Sequence, residues 1–512
     1  MAKQVSLKKN FIMNAILSLS SFIFPLITYP YINRVLETLN KGKVITATSV
    51  ISYFVMFSQL GIPAYGVKLC ASVRDDKEKL SKAVHELLII NLAISVFAYI
   101  GLFATVLLIP SFRSEITLFT VMCPNILLSA LGIEWLYKAL EKYDYITVRS
   151  LIFKVIAVIS MFLLVHKRED YVIYGGITIF ASTASSILNF INARKYIYFR
   201  KLDGYNFKRH FKATLAFFAM SCATTVYLHL DTLMLKFLSG TSDEGFSQTA
   251  VYDTAVKVKS ILTSIVTSLG AVLLPRASYY FQQNRMDEFR KITKKALNLV
   301  FVLSLPLMVY FMFYARDAVL FISPKSFLGA VLPMQTIMPT IVFIGITNII
   351  GFQILIPSGR INVVLKSVVL GAVVDLVFNF ALIPFIQCEG AAIGTLLAEI
   401  AVLIYQLIYM YRHRDIVDII PVIKNISFWK IAIAIVISSA CCIVFKFWQI
   451  PVKTDKTMLV AFVNLAVSAI AFFVPYCAVM LLLKETMAVE AVNTIAGKFK
   501  GLTGKFRKNK AE

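Results

Sequence analysis

Residues 11–33 read FIMNAILSLSSFIFPLITYPYIN. That uncharged run exceeds the roughly 20 residues a helix needs to cross a bilayer. Lys3, Lys8 and Lys9 precede it, as in a secretory signal, but no small-residue cleavage site follows. The stretch is therefore the first of many spans. Working outward, similar apolar lengths recur near 44–63, 83–109, 115–137, 146–165, 171–192, 211–238, 248–274, 296–322, 331–357, 361–384, 389–411, 427–450 and 458–483. The expectation is an all-α polytopic membrane protein of about 14 transmembrane helices.

Composition agrees. Of 512 residues, 58% are apolar and 16% charged, with a mean hydropathy of +0.76; soluble domains sit near half and about a quarter. The 52 Lys+Arg against 28 Asp+Glu leave a net charge of +24. Of those 52, 35 fall in loops on the N-terminal side, 9 on the opposite side and 8 within or at the edges of spans. Loops rich in Lys and Arg stay in the cytoplasm, so both termini are expected there. Loop 193–212 (ARKYIYFRKLDGYNFKRHFK) carries seven cations among aromatic residues. Such a mixture could suit single-stranded nucleic acid, but the loop joins two spans and topology accounts for its charge, so no nucleic acid is expected.

Familiar site chemistry has no motif here. Seven cysteines and five histidines are scattered, with no C-x-x-C, no H-E-x-x-H, no phosphate-binding glycine loop and no nucleophile elbow. No metal, cofactor or catalytic residue is expected, and the opposite-side loops are too short to house an enzyme.

An internal repeat divides the chain. Asn33-Arg34-Val35-Leu36 and Leu235-Lys236-Phe237-Leu238 end spans one and seven; Pro63 and Pro275 close spans two and eight ahead of charged stretches. Six spans separate the copies, so both lobes share one orientation, an arrangement common in two-lobed transporters. The expected domains are an N-terminal six-helix lobe (1–192), a basic cytoplasmic inter-lobe loop (193–212), a C-terminal six-helix lobe (213–412), extra helices 13 and 14 (413–484) and a basic amphipathic tail (485–512). In that tail Val492, Ile495, Phe499, Leu502 and Phe506 share one helical face among lysines, which suits an anionic inner leaflet.

Several spans carry polar stripes. Asn14, Ser18, Ser21, Pro25 and Thr28 share a face of span one, as do Asp253, Lys257, Ser260, Ser264 and Thr267 in span eight; span seven adds Ser221, Thr224 and Asp231. Hydroxyl stripes alone serve helix packing. Charges are different, because each one at mid-membrane costs about 2.5–3.5 kcal/mol on insertion scales and usually faces water or a partner. Arg34, Lys154, Asp231, Lys236, Asp253, Lys257, Lys259, Arg316, Asp317, Lys366, Asp375 and Glu399 lie in or near spans. Matching cations in both lobes (Arg34, Lys236), with Lys257 on a polar stripe, point to a central cavity between pseudo-symmetric lobes that attracts an anion. Trp135, Trp429 and Trp448 stand near span ends, as interface anchors do.

Motifs along residues 1–412 make the chain resemble the polysaccharide/O-antigen flippases of the multidrug/oligosaccharidyl-lipid/polysaccharide exporter superfamily. The resemblance rests on Tyr29-Pro30-Tyr31-Ile32-Asn33-Arg34-Val35-Leu36, GIPAYGVK (61–68), VRDDKEKL (73–80), Glu134 to Tyr143 and ITVRSLIFK (146–154) in the first lobe. In the second it rests on LDTLMLKFL (230–238), YDTAVKV (252–258), VLLPRASYY (272–280), PSGRINVVLKS (357–367) and GAAIGTLLAE (390–399). Glu37 and Lys236 stand where the family usually has glycine.

The resemblance implies a flippase in a bacterial cytoplasmic membrane that carries an undecaprenyl-pyrophosphate-linked oligosaccharide, for O-antigen, capsule or exopolysaccharide, by alternating access. Arg34, Lys236 and Lys257 are expected on the pyrophosphate, with Arg149 and Lys154 as further candidates and Asp231 and Asp253 also at the site. Expected partners are the lipid-linked substrate, membrane lipids, a polysaccharide polymerase and chain-length proteins. The alternative is a multidrug/cation antiporter of the same superfamily, in which Asp231, Asp253 or Asp375 binds a coupling proton or sodium ion.

Overall fold

A computed structural model of the protein describes residues 7–283, 285–413, 426, 428–447 and 457–490. Among the described residues every regular element is helical. The helices are α1 (Leu7–Gln59), α2 (Ile62–Ser72), α3 (Lys77–Leu108), α4 (Pro110–Arg113), α5 (Ile116–Met122), α6 (Pro124–Leu131), α7 (Glu134–Ala139) and α8 (Tyr143–Leu164). They continue as α9 (Tyr171–Ile179), α10 (Ser185–Asn192), α11 (Lys208–Leu238), α12 (Ser242–Gln282), α13 (Met286–Phe313) and α14 (Ala315–Ile322). The last are α15 (Val331–Ile337), α16 (Thr340–Asn348), α17 (Ile361–Arg412), α18 (Phe428–Phe447) and α19 (Thr457–Leu482).

Nine described stretches are long and apolar enough to cross a membrane, and Lys325–Ile337 with Thr340–Leu355 forms a tenth, bent by 48°. Two of the nine are double crossings. Helix α1 breaks at Glu37 (φ 58°, ψ −170°) and α17 at Ile386 and Gln387 (φ 48°, ψ −124°). One residue in the left-handed region reverses each helix where the sequence suggested a loop. With α12 and the shorter apolar α18, the fourteen expected spans each have a helical counterpart, and the chain is a multi-pass membrane protein.

Some spans are less regular than the apolar pattern implied. Span four is assembled from α5, α6 and α7. Span six contains a π-helical turn at Phe180–Ala184 between α9 and α10, and span ten contains another at Ile349–Leu355. Such bulges leave backbone carbonyls without a partner four residues on, and hydroxyls fill in: Thr183 donates to the Ile179 carbonyl over 2.9 Å.

The chain divides into two compact units. One comprises Met1–Thr254, Ile322–Gly329 and Asp375–Ala391; the other comprises Ala255–Phe321, Ala330–Val374 and Ala392–Glu512. In the first unit, Ile32, Leu36, Ile51, Leu102, Phe119 and Met122 anchor one buried cluster. A second gathers Ile62, Leu80, Leu87, Leu136, Tyr137 and Trp135. Trp135 is therefore not an interface anchor: it is buried, and a Cβ at Gly66 would stand 2.7 Å from its ring. Only glycine lets α2 close on that indole. Trp429 is well exposed, as an anchor should be; Trp448 lies outside the described residues.

In the second unit Tyr310 is the hub for the last helix. Its hydroxyl lies 2.8 Å from the Leu465 carbonyl and 2.9 Å from Ser468 Oγ, while its ring packs on Phe472 and Phe473. Asn298 Nδ2 donates to Glu485 over 2.7 Å, and Tyr476 donates to the Val302 carbonyl over 2.9 Å. Spans nine and fourteen are thus joined by polar contacts, which matter in lipid because lipid tails are as apolar as side chains. The amphipathic tail lies outside the described residues from 491 onward, and the side chains of Asn14, Ser18 and Ser21 also fall outside them.

Candidate functional site

In the first unit the bend at Glu37 brings the end of span one against the turn between α11 and α12. Gly42 lies so close to Phe246 that a Cβ there would overlap the Phe246 carbonyl. Thr249 on α12 donates to Phe246 O over 2.7 Å and approaches Gly42 O at 3.4 Å and Thr46 Oγ1 at 3.5 Å. Around this seam, Asn33 Nδ2 donates to Ser323 Oγ (2.8 Å) and to the Ile322 carbonyl (3.2 Å). Gln387 at the break in α17 donates to Glu244 and accepts from Gln248 over 2.6 Å. Arg168 pairs with Glu37, and Lys43 pairs with Glu115 at 2.7 Å. All of this lies at the end of the first crossing, opposite the N-terminus.

Two carboxylates lie one layer deeper, each held by a tyrosine. Tyr29 donates to Asp253 Oδ2 over 2.9 Å. Tyr252, the residue beside Asp253, donates to Asp231 Oδ2 over 2.6 Å, and Asn379 Nδ2 donates to Asp231 Oδ1 over 2.9 Å. Phenol-to-carboxylate bonds are charge-assisted and short. They fix each carboxylate in place. His229, two residues before Asp231 on α11, lies 3.3 Å from Ser49 Oγ and edge-on to Tyr53.

The predicted cations are placed differently from one another. Arg34 is half-buried; its Nη1 donates to the Pro30 carbonyl over 2.6 Å and its Nη2 lies 3.5 Å from the Ser323 carbonyl. Lys236 is buried, donating to Ser242 Oγ (3.0 Å) and O (3.2 Å), with Nζ 4.1 Å from the Phe246 ring centre. Arg149 is buried among spans four to six: Nη1 donates to the Ser185 carbonyl over 3.3 Å, Nη2 lies 3.8 Å from Glu134, and the guanidinium sits over Tyr145. Lys154 donates to Ser20 on span one over 2.9 Å. Lys257 belongs to the second unit and is half-buried. The structure therefore joins Asp231, Asp253, Arg34 and Lys236 to the seam and its underlying layer, while Arg149 contacts spans four to six and Lys154 meets Ser20 on span one.

Two groups of residues escaped sequence reasoning. Lys41 reads as a loop cation but is buried, with Nζ 3.1 Å from Tyr174 Oη and 4.0 Å from the Tyr29 ring centre. The Tyr29-Pro30-Tyr31 motif was the available signal. Glu86 reads as a loop-proximal acid on α3, yet it is fully buried and organises loop 193–212. It accepts from the Asn206 backbone N–H (2.6 Å), from Arg209 and from His210 Nε2 (2.7 Å), while Tyr65 donates to His210 Nδ1 over 2.9 Å. His210 is thus not the isolated residue its sequence context suggests.

Comparison with known proteins supplies a family. A family model described as polysaccharide biosynthesis protein matches residues 7–281, over half of the chain. A candidate O-antigen transporter of Escherichia coli (strain K12) is 22% identical over 416 residues, covering 81% of this chain and 99% of that protein. Another from Shigella dysenteriae is 23% identical over 424 residues, with 78% and 99% covered. Among solved structures, the chain is similar to the lipid II flippase MurJ in an inward closed conformation, with TM-score 0.64, 17% identity and 90% and 99% of the two chains covered. It is also similar to an inward-facing multidrug resistance MATE family transporter of the MOP superfamily, with TM-score 0.56, 10% identity and 76% and 98% covered. At such identities these two likenesses describe the fold, an all-helical transporter architecture.

Proposed function

Because the chain belongs to the polysaccharide biosynthesis protein family, we propose that it is a flippase, not an enzyme, for an undecaprenyl-diphosphate-linked oligosaccharide in a bacterial cytoplasmic membrane. The observation that carries this reading is the family match over residues 7–281. Near-full-length similarity to candidate O-antigen transporters and the fold shared with a lipid II flippase support it. The substrate would be a repeat unit of O-antigen, capsule or exopolysaccharide. Both termini face the cytoplasm in this reading, because 35 of 52 cations lie in loops on that side.

Translocation proceeds by alternating access of the lobes 1–192 and 213–412, with Arg34, Lys236 and Lys257 taking the diphosphate. Their charge suits a dianionic head, and Lys serves phosphate as a point charge while Arg offers a fork. Asp231 and Asp253, held by Tyr252 and Tyr29, are the candidates for a coupling proton or sodium ion. Polysaccharide polymerase and chain-length proteins would act on the product.

The test is complementation of a deletion strain, read as polymer export and as lipid-linked oligosaccharide retained on the cytoplasmic face. Arg34→Glu or Lys257→Glu should abolish export at normal protein level; intact export in both would remove these residues from the diphosphate site. The tyrosine-held carboxylates also suit a multidrug/cation antiporter. In that case the deletion would leave polymer export unchanged and alter drug resistance instead.

A further inference from the structure

The seam of the first unit holds two buried cations, Lys41 and Lys236, that are not paired with its carboxylates. Glu37 is taken by Arg168. Glu115 is taken by Lys43 and accepts the Tyr171 hydroxyl over 2.7 Å, and Glu244 accepts from Gln387. Lys41 and Lys236 have no carboxylate within ion-pair distance among the described residues. Each is about as buried as a core leucine, at 2% and 3% exposure.

Lys41 is held by two tyrosines: one hydroxyl at 3.1 Å and ring centres at 4.0 and 4.9 Å. Lys236 is held by Ser242 and the Phe246 ring, and exposed Asp243 attracts it from a distance. Removing an ammonium from water costs more than a desolvated ring returns. An ammonium also has three N–H donors, and Lys41 directs one of them to a hydroxyl.

The two lysines flank one joint. Lys41 precedes Gly42, whose backbone abuts Phe246, and the other side of Phe246 supports Lys236. Arg34 donates to the Pro30 and Ser323 carbonyls at the same end.

We propose that Lys41 and Lys236 form an exit-side anion site for a diphosphate, covered while the seam is closed and exposed when it opens. This rests on the flippase reading and deepens it: Lys236, already named there for the diphosphate, acts with Lys41 on the side opposite the N-terminus. Two ammoniums on opposite walls suit a group carrying two phosphates, and the tyrosine and phenylalanine rings beneath them exclude competing water. Departure of the anion lets the rings cover the lysines again, which favours closure after release.

The probe is inorganic pyrophosphate, measured by calorimetry on monodisperse full-length protein in nanodiscs. Gly42→Ala wedges the seam, so it should bind pyrophosphate at least about fivefold more tightly than the unmodified chain. Adding Lys41→Gln or, separately, Lys236→Gln should remove that gain, and Lys41→Arg should keep it. In proteoliposomes, pyrophosphate on the face opposite the N-terminus should inhibit flipping of lipid-linked oligosaccharide, and Lys41→Gln should raise the inhibitory concentration about tenfold on that face alone.

Binding indifferent to both lysines overturns the site. So does inhibition that changes equally on both faces, because that is what a structural role of Lys41 predicts. Inorganic phosphate competing as well as pyrophosphate overturns the diphosphate assignment. Loss of binding on adding phosphatidylglycerol assigns the site to lipid headgroups and overturns it likewise. If the chain flips no lipid-linked oligosaccharide yet binds pyrophosphate through Lys41, the flippase reading fails and the anion site stands.

Discussion

Replacing Gly42 with alanine isolates the seam in one methyl group. The residue lies just past the bend at Glu37 and has no left-handed backbone requirement. The substitution is therefore free of backbone strain and acts only through contact. Its Cβ would stand 1.7 Å from the Phe246 carbonyl oxygen, where ordinary contact begins at 3.4 Å. The obstacle is helix backbone rather than a flexible side-chain tip, so α12 and the bend of α1 must move apart by about the difference. Overpacking of this kind costs about 1–3 kcal/mol, which shifts a closed-to-open equilibrium by about 5- to 150-fold.

The reporter is a cysteine at Thr249, which is buried beneath Gly42 in the closed seam. Its modification by an impermeant maleimide, added to the face opposite the N-terminus and quantified by mass spectrometry, should accelerate by that factor in Gly42→Ala. A folded double variant labelled within twofold of the Thr249→Cys parent would refute the reasoning, since a closed seam cannot hold the added atom without opening.

Three further outcomes follow from other parts of the molecule. Glu86→Gln removes the charge from a fully buried group that accepts from half-exposed Arg209 and buried His210; losing such charge-assisted hydrogen bonds costs about 1.5–3 kcal/mol, and thermal unfolding together with proteolysis of loop 193–207 should report it. Asp76 caps α3 by accepting the Glu78 and Lys79 N–H groups. The Lys79 backbone N–H, first among its causes, holds its carboxyl below the usual aspartate value. Its contribution is therefore complete above the unfolded value of about 3.9 and fades as pH falls through the lower folded value. Hydrogen exchange of the first turn of α3 should lose protection only below about pH 4, and Asp76→Asn should remove that pH dependence. Gly359 (φ 75°) has nothing within 4 Å of a would-be Cβ, so Gly359→Ala should cost only the left-handed strain of about 1–2 kcal/mol and leave export intact.

Residues 11–33 and the thirteen runs like them were enough to establish span number and helical class, because lipid permits a long apolar stretch little except a helix. The sequence alone also located most of the net charge in loops on one side, and its motifs indicated the family. It could not establish where α1 turns. Glu37 is an ordinary helix former that adopts a positive φ because Gly42 and Phe246 pack together, and packing overrides propensity.

The candidate site divides in the same way. Asp231 and Asp253 stand out as charges in apolar helices, so cost alone exposes them. Their partners do not: Tyr29 meets Asp253 across 224 positions and Asn379 meets Asp231 across 148, and no local pattern reports a bond between distant helices. Lys41 is the clearest case. Its neighbours in sequence look like a charged loop, and only the tertiary structure, by placing Tyr29 and Tyr174 around it, turns a cation of unremarkable context into one buried with no ion-paired carboxylate among the described residues.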